Sequence, residues 1–242
     1  MLNEVKNILK DKSGITAIII KDNKGNRIDI NPEVTFPSAS LIKLFVLLSV
    51  TKDDYKNKVK LKNDEKVGGF GMLQTLDEGL ELTVKDLCYL MICLSDNTAT
   101  NMLIDYLGIE KINKIIIENG FKNTVLGRKM MDMEGKKRGL DNFTSAEDVL
   151  KVLEILFQDE NNLNILKKQM CNSKLPLYFF RKAEFAHKTG DLVGVEHDAG
   201  RLFLNNEYID IVVLTKDLEN NKDGVIINNL VGELVYNRYK TI

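Results

Sequence analysis

Ser40-Leu41-Ile42-Lys43 sets a hydroxyl and an ammonium three residues apart, a spacing that puts both on one face of a helix. A serine is a poor nucleophile until a neighbour takes its proton. A desolvated lysine has its pKa lowered far enough to do that. A helix start adds free N–H groups and a positive end, suited to an anionic tetrahedral intermediate. The pattern recurs as Ser49-Val50-Thr51-Lys52, nine residues further on. At about 100° per residue the second pair faces the opposite side of the same helix, so at most one pair serves a given site.

Two further triplets can carry chemistry. Ser95-Asp96-Asn97 follows an apolar helical stretch; by itself it reads as the cap of the next helix. Lys188-Thr189-Gly190 ends a strand-like run; by itself it reads as a turn. In a working site the Lys and Thr side chains hold a carboxylate, and the glycine lets the backbone come close to a ligand. S-x-x-K, S-D-N and K-T-G in this order form a known serine acyl-transfer signature. Each stands in its fitting context here: helix start, helix-to-helix loop and strand end.

With these motifs go the flanks Phe36-Pro37-Ser38-Ala39-Ser40, Leu94 to Asn101, and Gly194 to Gly200. Through them the chain resembles class A β-lactamases and penicillin-binding proteins over about residues 15–215. The resemblance implies a division of labour. Ser40 is acylated, and Lys43 accepts its proton directly, through a water or through Ser95. Ser95 relays a proton to the leaving nitrogen, and Asn97 binds the substrate's amide side chain. Lys188 and Thr189 anchor the carboxylate, Gly190 lets the backbone approach the substrate, and the N–H groups of Ser40 and Asp191 form the oxyanion hole. The implied partner is a small-molecule β-lactam or acyl-peptide, with no cofactor. A D-Ala-D-Ala carboxypeptidase or transpeptidase, or an esterase or amidase, fits the same fold. A non-catalytic binding protein is the third reading, and the retained Ser–Lys pair argues against it.

One part of the pattern fails. Class A β-lactamases carry a glutamate that activates water against the acyl-serine, in an Arg-x-Glu-x-x-Leu-Asn loop. Here the loop reads Arg128-Lys129-Met130-Met131-Asp132-Met133-Glu134, and a thioether cannot deprotonate water. Asp132 and Glu134 are the nearby candidate bases. Glu160-Asn161-Asn162-Leu163-Asn164 matches the letters but comes too late in the chain and reads as a surface turn.

The elements that must position these residues follow from periodicity. Leu2, Val5, Ile8 and Leu9 mark a helix ending near Ser13-Gly14. Ile15 to Lys21 and Arg27 to Ile30 form a hairpin about Asp22 to Asn26. Ser40 to Lys52 is a buried helix starting at Ser38 or Ser40. Leu82 to about Cys171 is helical, with Thr83 as one N-cap and Thr144 as another, Glu147 reaching back to Thr144. Phe185 to Thr189, Gly200 to Leu204 and Tyr208 to Thr215 are antiparallel strands, and a last helix runs from about Asp223 to Tyr239. The fold class is therefore α+β: residues 1–35 and 180–242 build an antiparallel sheet lobe from both termini, and residues 36–179 a helical lobe with the nucleophile helix.

Composition excludes several classes. Thirty-four basic and 35 acidic side chains leave a net charge of −1, no footprint for nucleic acid. Two histidines and three cysteines, Cys88, Cys93 and Cys171, without a C-x-x-C, argue against a metal site or a disulfide framework. No apolar run is long enough for a membrane span, and Met1 to Lys12 lacks the core of a secretory signal. As written the chain reads as cytoplasmic, or as extracytoplasmic if a leader was removed. No heptad or unpartnered apolar stripe is evident, so a monomer is expected.

Overall fold

The computed structural model describes residues 1–240. The chain opens with α1 (Leu2–Leu9), β1 (Ile15–Asp22), β2 (Arg27–Ile30) and β3 (Thr35–Pro37), followed by a 3-10 turn over Ala39–Leu41 and α2 (Ile42–Leu48). Next come β4 (Lys58–Lys60), β5 (Glu81–Thr83), α3 (Val84–Cys93), α4 (Asn97–Leu107) and α5 (Ile109–Glu118). A loop holding the short α6 (Met133–Lys137) leads to β6 (Phe143–Ser145), α7 (Ala146–Leu156) and α8 (Glu160–Leu166). The chain closes with β7 (Glu184–Leu192), β8 (Val195–Leu204), β9 (Glu207–Lys216) and α9 (Asn221–Tyr239).

Five strands form an antiparallel sheet in the order β2-β1-β9-β8-β7, so strands from the two ends of the chain lie side by side. β1 runs against β9 from Ile15↔Lys216 to Asp22↔Ile209. Successive strand residues point to opposite faces. Ile18 and Ile20 of β1 pack with Val5 of α1 and Ile227 and Val231 of α9. Ala17 and Ile19 turn the other way, toward Phe45 of α2 and Leu150 of α7. Both faces of β1 are thus covered, which is why its sequence is continuously apolar instead of alternating. The second and larger core runs through α2, α3, α4 and α7.

Some boundaries differ from the sequence expectation. The first helix stops at Leu9. The helix after Ser40 stops at Leu48, where Ser49 turns its hydroxyl back to the Phe45 carbonyl (2.8 Å). Lys52 lies beyond it in a separate turn, ion-paired with Asp159, so the second S-x-x-K never forms on one helix. Ser145 rather than Thr144 caps α7, accepting from the Asp148 N–H. Thr144 is held in β6 opposite Phe36, and Glu147 pairs with Arg27 instead of reaching back. Glu160 to Asn164 forms most of α8, opened by Asp159 as its cap, not a surface turn. β7 and β8 are longer than predicted and meet in a hairpin at Val193-Gly194. Thr83 caps α3 with a reciprocal bond from Asp86, as the sequence suggested.

Candidate active site

Ser40 sits in the 3-10 turn that leads into α2, and Lys43 lies in the first turn of α2 itself. Ser40 is partly exposed, whereas Lys43 is fully buried. The turn is pinned on both sides. Ser38 donates its N–H to the Asn142 carbonyl (2.8 Å), and the His197 ring bonds the Pro37 carbonyl (2.9 Å). On the β7 side, a Cβ added to Gly190 would lie 3.2 Å from the Ser40 nitrogen and 3.1 Å from the Ala39 Cβ. A side chain at 190 would force the strand edge and the Ser40 backbone apart by a few tenths of an ångström.

The three motifs meet beneath Ser40. The Lys43 ammonium reaches the Ser95 hydroxyl (3.1 Å), the Ser95 carbonyl (2.6 Å) and the Asn97 amide oxygen (2.9 Å). Lys188 approaches the same Ser95 hydroxyl from the sheet side (3.0 Å) and bonds the Thr189 carbonyl (2.8 Å). Ser95 makes this convergence possible by adopting a left-handed conformation, φ 54°, sparsely populated for a side-chain-bearing residue and common at functional sites. A hydroxyl has two lone pairs and one proton. Ser95 thus stands between the two lysine nitrogens as a group able both to accept and to donate a proton.

Burial sets the charge state. Desolvation, with repulsion from Lys188 as the next cause, holds the Lys43 pKa well below the ordinary lysine range. Desolvation brings Lys188 down to about 8. Burial thus disfavours the charged form of both lysines, and at Lys43 the neighbouring charge of Lys188 adds to the effect.

Asp96, the middle residue of the triplet, has a structural duty. Its carboxylate caps α4 through the Ala99 N–H (2.8 Å) and accepts from Met72 (2.6 Å) and Leu73 (2.9 Å). Gly71 packs so tightly on it that an added Cβ would fall 2.2 Å from the carboxylate carbon. This contact, with the Asn97 N–H on the Phe70 carbonyl (3.0 Å), brings Phe70 over the cleft.

The cleft itself encloses about 360 Å³, with Ser40, Asn97, Asp191, Phe70, Met130 and Met133 on its walls. Lys43, Ser95, Lys188 and Thr189 are buried, and this group meets the cleft wall through the Lys43–Asn97 hydrogen bond. Asp132 and Glu134 are not on the cleft wall. Asp132 caps α6 through the Gly135 N–H (2.8 Å) and lines a separate surface hollow, while Glu134 is exposed and pairs with Lys137. Met130 does line the cleft. The loop carrying it is closed by an Arg128–Asp141 ion pair (2.8 Å) and by Asn142, whose amide bonds the N–H groups of Gly127 and Arg128 and the Arg128 carbonyl. Asp141, Phe70 and Lys174 lie outside the motifs and their flanks, and Asn101 enters only as the last residue of one flank. Only Phe70 carried a local signal, the glycines on either side of it.

Among the described residues there is no cluster of His, Cys, Asp and Glu able to hold a metal, and no helix long and apolar enough to cross a membrane.

The profile of the β-lactamase enzyme family matches residues 2–239. The chain belongs to that family. The β-lactamase of Bacteroides uniformis is 22% identical to it, covering 97% of this chain and 89% of that protein. The β-lactamase fold is matched at a TM-score of 0.90 by the enzyme from Sphaerobacter thermophilus, at 25% identity over 100% of this chain and 99% of the other. PBP-A superposes at a TM-score of 0.88 and 26% identity, covering 100% and 97% of the two chains. A mutant of PBP-A, solved as an acyl-enzyme complex with penicillin G, matches at 0.87 and 26%, covering 99% and 96%. By family and fold this is a serine hydrolase with an α+β architecture, as the motifs implied.

Proposed function

We propose that this family member is acylated at Ser40 by β-lactams or related amides and esters, and that hydrolysis of the acyl-enzyme is slow. In acylation the Ser40 oxygen bonds to the carbonyl carbon and the carbonyl π electrons move onto its oxygen, facing the N–H groups of Ser40 and Asp191. The Ser40 proton passes to Lys43. As the tetrahedral intermediate collapses, the C–N bond breaks and the nitrogen takes a proton delivered through Ser95. The two lysines converging on Ser95 support this relay. Asn97, on the cleft wall, is the candidate for holding the substrate's amide; its own amide already spans Lys43 and the Gly68 carbonyl. Lys188 and Thr189, both buried, would serve a substrate carboxylate chiefly through the positive charge of Lys188.

The observation that carries slow deacylation is the inventory of carboxylates on the cleft wall. Among its described residues only Asp141 and Asp191 are acidic. Both are ion-paired, with Arg128 and Lys174 respectively, and a thioether stands at position 130. General-base activation of water therefore has no free carboxylate to use. The same observation favours the second reading, an acyl-peptide substrate handled in the manner of a penicillin-binding protein, and PBP-A is among the close structural matches.

Intact mass followed over time after excess benzylpenicillin, with Ser40→Ala as control, tests this. A persistent adduct absent from the control is expected. Rapid loss of penicillin with little adduct would show an efficient base and overturn slow deacylation.

A further inference from the structure

Lys174 belongs to no motif, yet it is almost fully buried and its ammonium touches four oxygens at the edge of the cleft. It bonds the Gly190 carbonyl (3.0 Å) and the His197 carbonyl (3.1 Å), and pairs with the carboxylates of Asp191 (2.6 Å) and Glu196 (2.7 Å). These contacts join facing residues of β7 and β8, Gly190↔His197 and Asp191↔Glu196. The lysine thus clamps the two ladder rungs that follow Thr189. Its own backbone is held in turn. Asn229 of α9 donates to the Ser173 and Lys174 carbonyls (2.8 and 2.9 Å), Leu175 donates to Asp198 (3.1 Å), and an added Cβ on Gly232 would strike the Leu175 carbonyl. Burying a lysine can cost stability even where its charge is paired, so this much scaffolding points to a use for the charge.

That use follows from Asp191. Its side chain is about one-third exposed and its residue lines the cleft beside Ser40. An unpaired carboxylate there would repel a substrate carboxylate and the oxyanion alike. Both Asp191 and Lys174 are felt at Lys188, with opposite signs, which places the pair within electrostatic reach of the proposed anion anchor. We infer that Lys174 is a positioning and specificity-determining residue: by offsetting Asp191, though it is shared with Glu196, and by fixing the Gly190–Asp191 backbone, it keeps the cleft receptive to anionic substrates. The inference rests on the proposed role of the cleft and adds the residue outside the motifs that protects its preference for a carboxylate-bearing ligand.

The test reads non-covalent binding, so it does not depend on Ser40 being the nucleophile. On the Ser40→Ala background, dissociation constants for benzylpenicillin and for its neutral methyl ester are measured by calorimetry. Lys174→Met should weaken benzylpenicillin about tenfold or more, the size of one unit charge at roughly 10 Å and an effective dielectric near 20, and leave the ester within about twofold. Lys174→Arg should restore most of the difference. Asp191→Asn, which keeps Lys174 paired with Glu196, should tighten benzylpenicillin relative to the ester; it carries the test if Lys174→Met melts early. Equal changes for both ligands, unchanged ratios, or weaker benzylpenicillin binding in Asp191→Asn would overturn the inference. An unmodified native protein after penicillin, combined with the expected ratios, would sink the Ser40 reading and leave the charge role standing; an adduct with unchanged ratios would do the reverse.

Discussion

Asn101 grips both backbone polar atoms of Met130: its amide nitrogen donates to the Met130 carbonyl (3.0 Å), and its amide oxygen accepts the Met130 N–H (2.8 Å). The side chain at 130 is thereby presented from a fixed backbone to the cleft that Ser40 also lines. On the proposed function, position 130 is where a base would act, and a methionine stands there.

Met130→Glu should therefore accelerate deacylation. A placed general base contributes about 10²–10⁴-fold, so the lifetime of the penicillin adduct should fall by about a hundredfold or more. Adduct decay followed by mass measures it, and an unchanged lifetime counts against the assignment of this position. Asp132→Asn should leave deacylation unaltered, because that carboxylate caps α6.

The two lysines predict opposite pH limbs. Lys43 must be neutral to accept the Ser40 proton, so acylation should be lost as pH falls through its depressed pKa. Lys188, at about 8, should lose its charge as pH rises through that value. Rates with benzylpenicillin should then drop on the alkaline side while those with its methyl ester do not. Acylation rates against pH for the two substrates give the comparison.

The same burial makes Lys43 a stability cost. Folded, it binds its proton less tightly than in the unfolded chain, so the cost is full below the folded pKa and fades as pH rises from there toward the unfolded value near 10.4. Replacing a buried charge with an apolar side chain often gains about 1–4 kcal/mol. Lys43→Met should abolish acylation yet raise the urea midpoint at pH 7. A lowered midpoint would mean that its three hydrogen bonds outweigh its desolvation.

His197 is buried beside the Ser40 turn, and desolvation brings its pKa down to about 4. Because it ionises more readily unfolded, near 6.5, its contribution is intact above that pH and is lost as pH falls toward 4. Stability from urea unfolding should decline across that window by about 3 kcal/mol, a shift of roughly two units or more at 1.36 kcal/mol each. The His197 ring resonances should remain those of a neutral imidazole at pH 5.5; protonation there would refute it.

The loop over residues 128–141 should depend on its closing ion pair. Asp141→Ala removes the partner of a largely buried Arg128, at a cost of about 1–3 kcal/mol. Amide hydrogen exchange should rise in residues 129–140 and stay low in β8 and β9.

Read along the chain, the motifs whose Lys43, Ser95 and Lys188 the fold brings together were legible because each is a short local pattern whose spacing has direct chemical meaning. The antiparallel sheet from both termini was legible too, since β1 and β9 carry continuous β-branched runs that need cover on both faces. The absence of a glutamate at 130 was equally plain, because residue type is a property of the sequence. What only the tertiary structure decided concerns partners far apart in sequence. Asp132 was close enough along the chain to be a candidate base, but a helix cap claimed its carboxylate. Thr144 had the letters of a cap, but strand pairing with Phe36 moved the helix start to Ser145. Lys174 had no signal at all: its meaning lies in four oxygens contributed by β7 and β8. Local periodicity encodes which face a residue takes. It does not encode which distant charge will meet it there, because that depends on how the packed elements close around one another.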